Sequence, residues 1–152
     1  MYAVRVDDLS GEQTRALLAL HLAGMQVNSP PESVFALDLS GLMRSDLTVW
    51  TAWAGERIAS VGALRTLAPD HGEIKSMRTH PDFLGRGAGA AILDHIIAAA
   101  GARGMRRLSL ETGRGPAFDP ALRLYERRGF TYGKAFGGYP STDFNQFMHL
   151  AL

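Results

Sequence analysis

The sequence of 152 residues is 46% hydrophobic and 20% charged, proportions that suit one compact core rather than a disordered or fibrous chain. Its 16 Lys and Arg against 15 Asp and Glu leave a formal charge of +1, so no general field draws it to nucleic acid or an anionic membrane, and any anion must be met locally. It has no cysteine, which excludes disulfides, thiolate metal ligands and a cysteine nucleophile.

The opening "MYAVRVDDLS" has no basic segment followed by an apolar one, and the longest apolar run, around Ala90 to Ala100, is broken by Asp94 and His95. Both features point to a cytoplasmic protein with no export signal and no bilayer span. "YAVRV" alternates as a short strand. Ser10 with Gln13 three positions on predicts a capped helix running to about Ala23 and ending near Gly24. Ser29 and Pro30 then predict a second short helix through "PPESVFAL". From Leu47 the period becomes two: "LTVWTAW", a turn at "AGER" and "IASVGAL" predict a hairpin. "EIKSMRT" predicts another strand, with Glu73, Lys75, Met77 and Thr79 on one face and Ile74, Ser76 and Arg78 on the other, ended by Pro81.

"FLGRGAGAAIL", residues 83 to 93, sets Gly85, Gly87 and Gly89 at the head of a helix from about Ala88, with Leu93, Ile96, Ile97 and Ala100 on one stripe and a stop at Arg103-Gly104. "RRLSLET" predicts the next strand. "DPALRLYERRGF" predicts a helix with Asp119 as N-cap, Pro120 in the first turn and Gly129 as terminator, and "FTYGKAF" and "FNQFMHLAL" predict two final strands. The order β-α-α-β-β-β-α-β-α-β-β describes an α+β fold with a mixed sheet, in a single domain over residues 1–152.

A helix N-terminus gathers unpaired N–H groups and the positive end of the helix dipole, and glycines let a phosphate approach that backbone. "GRGAGA", Gly85 to Ala90, also fits the dinucleotide pattern G-x-G-x-x-G/A, with Glu111 placed as a ribose acid would be. Against an NAD(P) oxidoreductase stand the half-polar "EIKSMRT", the mid-chain position of the loop, and the roughly 40 residues left after Glu111 for a second mononucleotide half. The G-x-x-x-x-G-K-[ST] phosphate loop is absent. A third reading is that the glycines only allow a tight turn.

"SMRTHPDFLGRGAGAAIL", followed one strand later by "ALRLYERRGF", resembles the GNAT superfamily of N-acetyltransferases, in particular its small bacterial YsnE-like branch. The family's acetyl-CoA loop reads [RQ]-x-x-G-x-[GA] and its later signature A-x-x-L-Y-E-x-x-G-F. The resemblance covers essentially the whole chain. It implies a central, mostly antiparallel twisted sheet flanked by helices, with a V-shaped splay between strands 4 and 5. The pantetheine arm of acetyl-CoA would pair with backbone near Met77, Arg78 and Thr79, and the pyrophosphate would lie on the loop of Leu84, Gly85, Arg86, Gly87, Ala88 and Gly89. Two positions depart from the pattern: Leu84 replaces the usual Arg or Gln, and Phe118 a frequent asparagine.

The resemblance also implies that Tyr125 sits near the cofactor sulfur as a general acid, although it shares a helical face with Ala121 and Leu124 and equally reads as a core aromatic. Glu73 is the candidate base for the attacking amine, against a plain pairing with Lys75 or Arg78, and Glu111 is the second choice. Transfer would be direct, to a small-molecule or peptide amine. The acceptor pocket would lie between the front helices and "GGYPSTDFNQ", and a homodimer through the last strands is open. The five histidines lack paired ligand spacing, so no metal is expected. Arg103, Arg106 and Arg107 read as solvated surface or as a contact for the adenosine 3′-phosphate. Trp50, Trp53 and Phe35 read as core or as acceptor-pocket walls. A non-catalytic acyl-CoA-binding domain is the remaining rival, indifferent to loss of Glu73 or of the Tyr125 hydroxyl.

Overall fold

The computed structural model describes residues 1–152, which form β1 (Ala3–Val6), α1 (Glu12–Asn28), α2 (Leu39–Leu42), β2 (Leu47–Ala54), β3 (Arg57–Ala68), β4 (His71–Thr79), α3 (Ala88–Ala102), β5 (Arg107–Thr112), α4 (Asp119–Arg127), β6 (Thr131–Tyr132) and β7 (Gln146–Ala151). The strands make one sheet in the order β1-β2-β3-β4-β5-β7-β6. All neighbours are antiparallel except β4 and β5, which run parallel with α3 as the crossover between them. That parallel pairing joins only His71–Glu73 to Arg107–Ser109. Beyond it β4 continues to Thr79 and β5 to Thr112 without meeting, and this opens the splay expected between strands 4 and 5.

The sheet buries both faces. On one, Ile92, Leu93 and Ile96 of α3 and Leu122 and Tyr125 of α4 pack on Trp50, Leu64, Ile74, Leu108 and Met148. On the other, Leu17 and Leu18 of α1 and Leu42 of α2 cover Val49, Val61 and Ala63. Burial of these side chains is the main stabilising term, about 1.5–3 kcal/mol for each large one. Gly62 of β3 lies under α3, where a Cβ would stand 2.5 Å from Ile92 Cγ2 and from Met77 Sδ. Its missing side chain sets how closely that helix approaches.

Local signals are overridden in four places. Helix α1 runs on to Asn28, and its N-cap is Gly11 with no side-chain bond. Ser10 Oγ instead donates to Asp8 (2.6 Å), while Gln13 bridges the β2–β3 hairpin by donating to Glu56 O (2.8 Å) and accepting from Ile58 N (2.9 Å). Ser29 ends α1 rather than starting a helix. The chain then makes a 3-10 turn at Pro31–Ser33 and the single turn α2, capped by Asp38, which accepts from Gly41 N (2.8 Å). Phe118, not Asp119, is the N-cap residue of α4.

The fourth departure matters most for the site. Ser76 has φ +57°, and pairing with β3 passes from Ala63↔Lys75 to Val61↔Arg78, three residues of β4 against two of β3. This bulge breaks the expected alternation. Met77 turns to the α3 face with Ile74, and Arg78 turns to the α1 face, where its guanidinium meets His21. Glu73 and Met77 therefore do not share a face.

Candidate active site

The parted ends of β4 and β5 are the walls of a cleft of about 540 Å³, reached from one side by α1 and closed at one end by the loop before α3. A tight turn builds that loop: Gly85 has φ +70° and Gly87 φ +81°, both in the region that penalises a Cβ. In both, the position of a missing Cβ faces open space. The N–H groups of Gly85, Gly87, Ala88, Gly89 and Ala90 make no hydrogen bond within the protein, and the first helical bond in α3 is Ala91 N to Gly87 O (3.0 Å). Side chains hold the loop from behind. Tyr2 Oη donates to Arg86 O (2.8 Å), Ser60 Oγ to Ala88 O (2.8 Å), and Gly89 packs on Thr79. Unpaired donors at the head of a 15-residue helix are what the binding of an anion requires.

Deeper in the cleft, Glu73 is buried and ion-paired to Lys75 (3.4 Å), and it accepts a hydrogen bond from the Tyr139 hydroxyl. Lys75 also donates to Tyr139 Oη (2.7 Å). Burial and the charge of Glu73 raise the Tyr139 phenol well above its usual range, so it acts as a donor. Across the splay, Glu111 of β5 is half-buried, and burial pushes its carboxyl up to about 7, with the Lys75 charge and the Asn145 amide pulling it back in part. A carboxyl that titrates at neutrality in a cleft is suited to taking and returning a proton.

Tyr125 is buried against Phe130, with ring centroids 5.7 Å apart, yet it also lines the cleft, and burial raises its hydroxyl out of the titrating range. It belongs to both core and cleft. Phe118 stacks edge-on against Phe144 at 5.6 Å and lines the same wall.

The structure brings Met77, Arg78, Thr79, Leu84, Gly85, Gly87, Ala88 and Gly89 to the cleft together with Glu73, Glu111 and Tyr125. Arg86 stands on the exposed outer side of the loop. Trp50 is core, and Trp53 lies half-buried under Arg5, whereas Phe35 reaches the cleft and meets the edge of Tyr139 at 5.2 Å. Arg103 caps the far end of α3, about 22 Å from the loop by helix rise, and packs on Trp50 with Thr48 as its hydrogen-bond partner (3.1 Å). That distance removes it as a neighbour of phosphates held at the loop. No three His, Cys, Asp or Glu side chains cluster as metal ligands, and no helix is long and apolar enough to cross a membrane.

The pairing of Glu73 with Lys75 is one of the two readings of Glu73 from sequence, and the structure makes it; Tyr139 and His21 were not singled out as site residues. The signal for Tyr139 was Gly137-Gly138, whose φ of +60° and +80° make the turn that aims the next residue inward. Lys75 is expected only as a partner of Glu73, two residues away, and its bond to Tyr139, like that of His21 to Arg78, carried no local signal because the partners are distant in the chain.

Comparison with known proteins agrees with this geometry. The sequence pattern of the Acetyltransferase (GNAT) family matches residues 14–130. The chain is 46% identical over 145 residues to the uncharacterized N-acetyltransferase YsnE of Bacillus subtilis, covering 95% of this chain and 96% of that protein. It is 42% identical over 152 residues to the uncharacterized N-acetyltransferase YedL of Escherichia coli, covering 100% and 96%. Its fold superimposes on a GNAT family acetyltransferase from Elizabethkingia anophelis with acetyl-CoA bound, with a TM-score of 0.74 at 15% identity over 99% of this chain and 98% of that one. The fold and cleft are those of an acyl-group transferase. The chain belongs to the GNAT acetyltransferase family.

Proposed function

We propose that this protein transfers the acetyl group of acetyl-CoA to a primary amine of a small molecule or peptide, by direct attack within a ternary complex and in one domain spanning residues 1–152. The observation that carries the reading is the set of free N–H groups of Gly85, Gly87, Ala88, Gly89 and Ala90 at the head of α3, opening on the gap between β4 and β5. Those amides and the helix dipole hold the CoA pyrophosphate, and Arg86 on the outer side adds a cation. Leu84, standing where the family has Arg or Gln, contributes through its backbone alone. The pantetheine arm pairs as an added strand with the free edge of β4 at Met77, Arg78 and Thr79.

An amine attacks a thioester only as the free base. Glu111, whose carboxyl burial pushes up to about 7, takes its proton, across the cleft from Glu73, which is held by Lys75 and Tyr139. The nitrogen bonds to the acetyl carbonyl carbon and the C–S bond breaks; the departing thiolate takes a proton from the Tyr125 hydroxyl, and the proton that the nitrogen sheds on becoming an amide returns to the Tyr125 phenolate.

Calorimetric titration with acetyl-CoA, with NADH as control, tests the reading. Saturable binding of acetyl-CoA alone is expected, and Gly87→Glu abolishes it by placing bulk and negative charge where the pyrophosphate belongs. Unchanged affinity in that variant refutes the loop assignment. Thiol release on addition of amines then separates a transferase from a sensing domain.

A further inference from the structure

Arg78 is half-buried in the cleft, yet it has no anionic partner. The ion pairs of the molecule are Arg44–Asp46, Arg57–Asp82, Arg65–Asp46, Lys75–Glu73 and Arg128–Asp94. Arg78 instead donates from Nε to His21 Nδ1 (3.1 Å) and from Nη2 to His21 O (3.4 Å). An imidazole can accept that bond only when neutral, and burial, followed by the charges of Arg78 and Lys75, holds His21 down at about 4. Gly24 of α1 completes the seat, since a Cβ there would stand 2.9 Å from Nη2. The guanidinium is thus fixed in place by neutral groups and left uncompensated. Withdrawing a cation from water without an anion is costly, and a planar fork with free N–H groups facing a cleft suits a carboxylate.

We propose that Arg78 binds the carboxylate of the acceptor, so that the acceptor is a small amino acid, a primary amine that carries its own carboxylate. This rests on the acetyltransferase reading above and names its substrate class. The bulge at Ser76 puts Arg78 on the α1 face with Lys75, two pleat steps or about 7 Å along β4. A carboxylate held there places the amine of the same small molecule in the cleft that Glu73 and Glu111 also line. The phosphates of CoA are served at the other side of the sheet, at the head of α3. Met25 and Phe35 give the remaining wall an apolar surface for a side chain.

The test is calorimetric titration of the protein saturated with CoA, using the standard L-amino acids and, for each, its decarboxylated amine. Amino acids are expected to bind about 10- to 100-fold more tightly than their decarboxylated partners, the worth of a charge-assisted pair. In the CoA-saturated protein Arg78→Gln is expected to erase that ratio, and Arg78→Lys to restore part of it. Equal binding of acids and amines by the wild type overturns the proposal, as does silence across the whole panel with CoA binding intact. Weakened CoA binding in a folded Arg78→Gln protein also overturns it, by assigning the guanidinium to the cofactor. The wild-type comparison stands if the variants do not fold. Failure of the wild type to bind CoA is a different result, which removes the acetyltransferase reading itself.

Discussion

Two carboxylates on facing strands sit in different surroundings. Glu73 has a cation and a phenol as partners, whereas Glu111 is buried beside the charge of Glu73 with less to compensate it. The rate of transfer is therefore expected to rise through a limb near pH 7 that disappears in Glu111→Gln and persists, at lower amplitude, in Glu73→Gln. The reverse pattern in the pH–rate profiles assigns the base to Glu73. The same group links to stability. Its folded pKa lies above its unfolded value of 4.5, so its stabilising contribution is full below that value and is lost as pH rises through about 7. Glu111→Gln is accordingly expected to raise the melting temperature relative to wild type at about pH 8 and to change it little at about pH 5. Tyr125→Phe tests the acid: turnover falls by roughly 10- to 1000-fold with CoA affinity retained. An unchanged turnover gives the proton to another donor.

At the scale of elements, the site depends on two irregularities, the bulge in β4 and the glycine loop at the head of α3. The bulge divides the labour of neighbouring residues, sending Met77 into the core and Arg78 into the cleft. Packing of α3 over β3 holds the loop in register with that bulge, and it depends on Gly62. Gly62→Ala forces a methyl to within 2.5 Å of Ile92 and Met77. It is expected to cost about 1–3 kcal/mol, as overpacked cores do, read as a lower urea midpoint at unchanged slope. Because Met77 would be displaced, CoA affinity should fall along with stability. A neutral result would show that α3 can shift freely over the sheet.

For the whole molecule, a sheet shared by both core clusters predicts one cooperative unfolding transition in calorimetry, whereas two resolved transitions would divide the chain. CoA at about 100 times its dissociation constant adds ~2.7 kcal/mol to the folded state. For a chain of this length that raises the midpoint by about 5–10 °C. NADH is expected to leave it where it was.

By itself the sequence determined the order of elements, the mixed sheet and the family, because these rest on local period, on glycine and proline punctuation, and on two motifs that are contiguous in the chain. The anion loop belongs to this group: Gly85, Gly87 and Gly89 and the helix behind them lie within a few residues of each other. Tertiary structure alone decided the rest. The helix start expected from Ser10 and Gln13 yielded to a hydrogen bond between Gln13 and the β2–β3 hairpin. The faces of β4 exchanged at Ser76, since a bulge is set by pairing with β3 and leaves no period to read. The meeting of Tyr139 with the Glu73–Lys75 pair, the raised carboxyl of Glu111 and the uncompensated Arg78 all arise from residues tens of positions apart meeting in low-dielectric space.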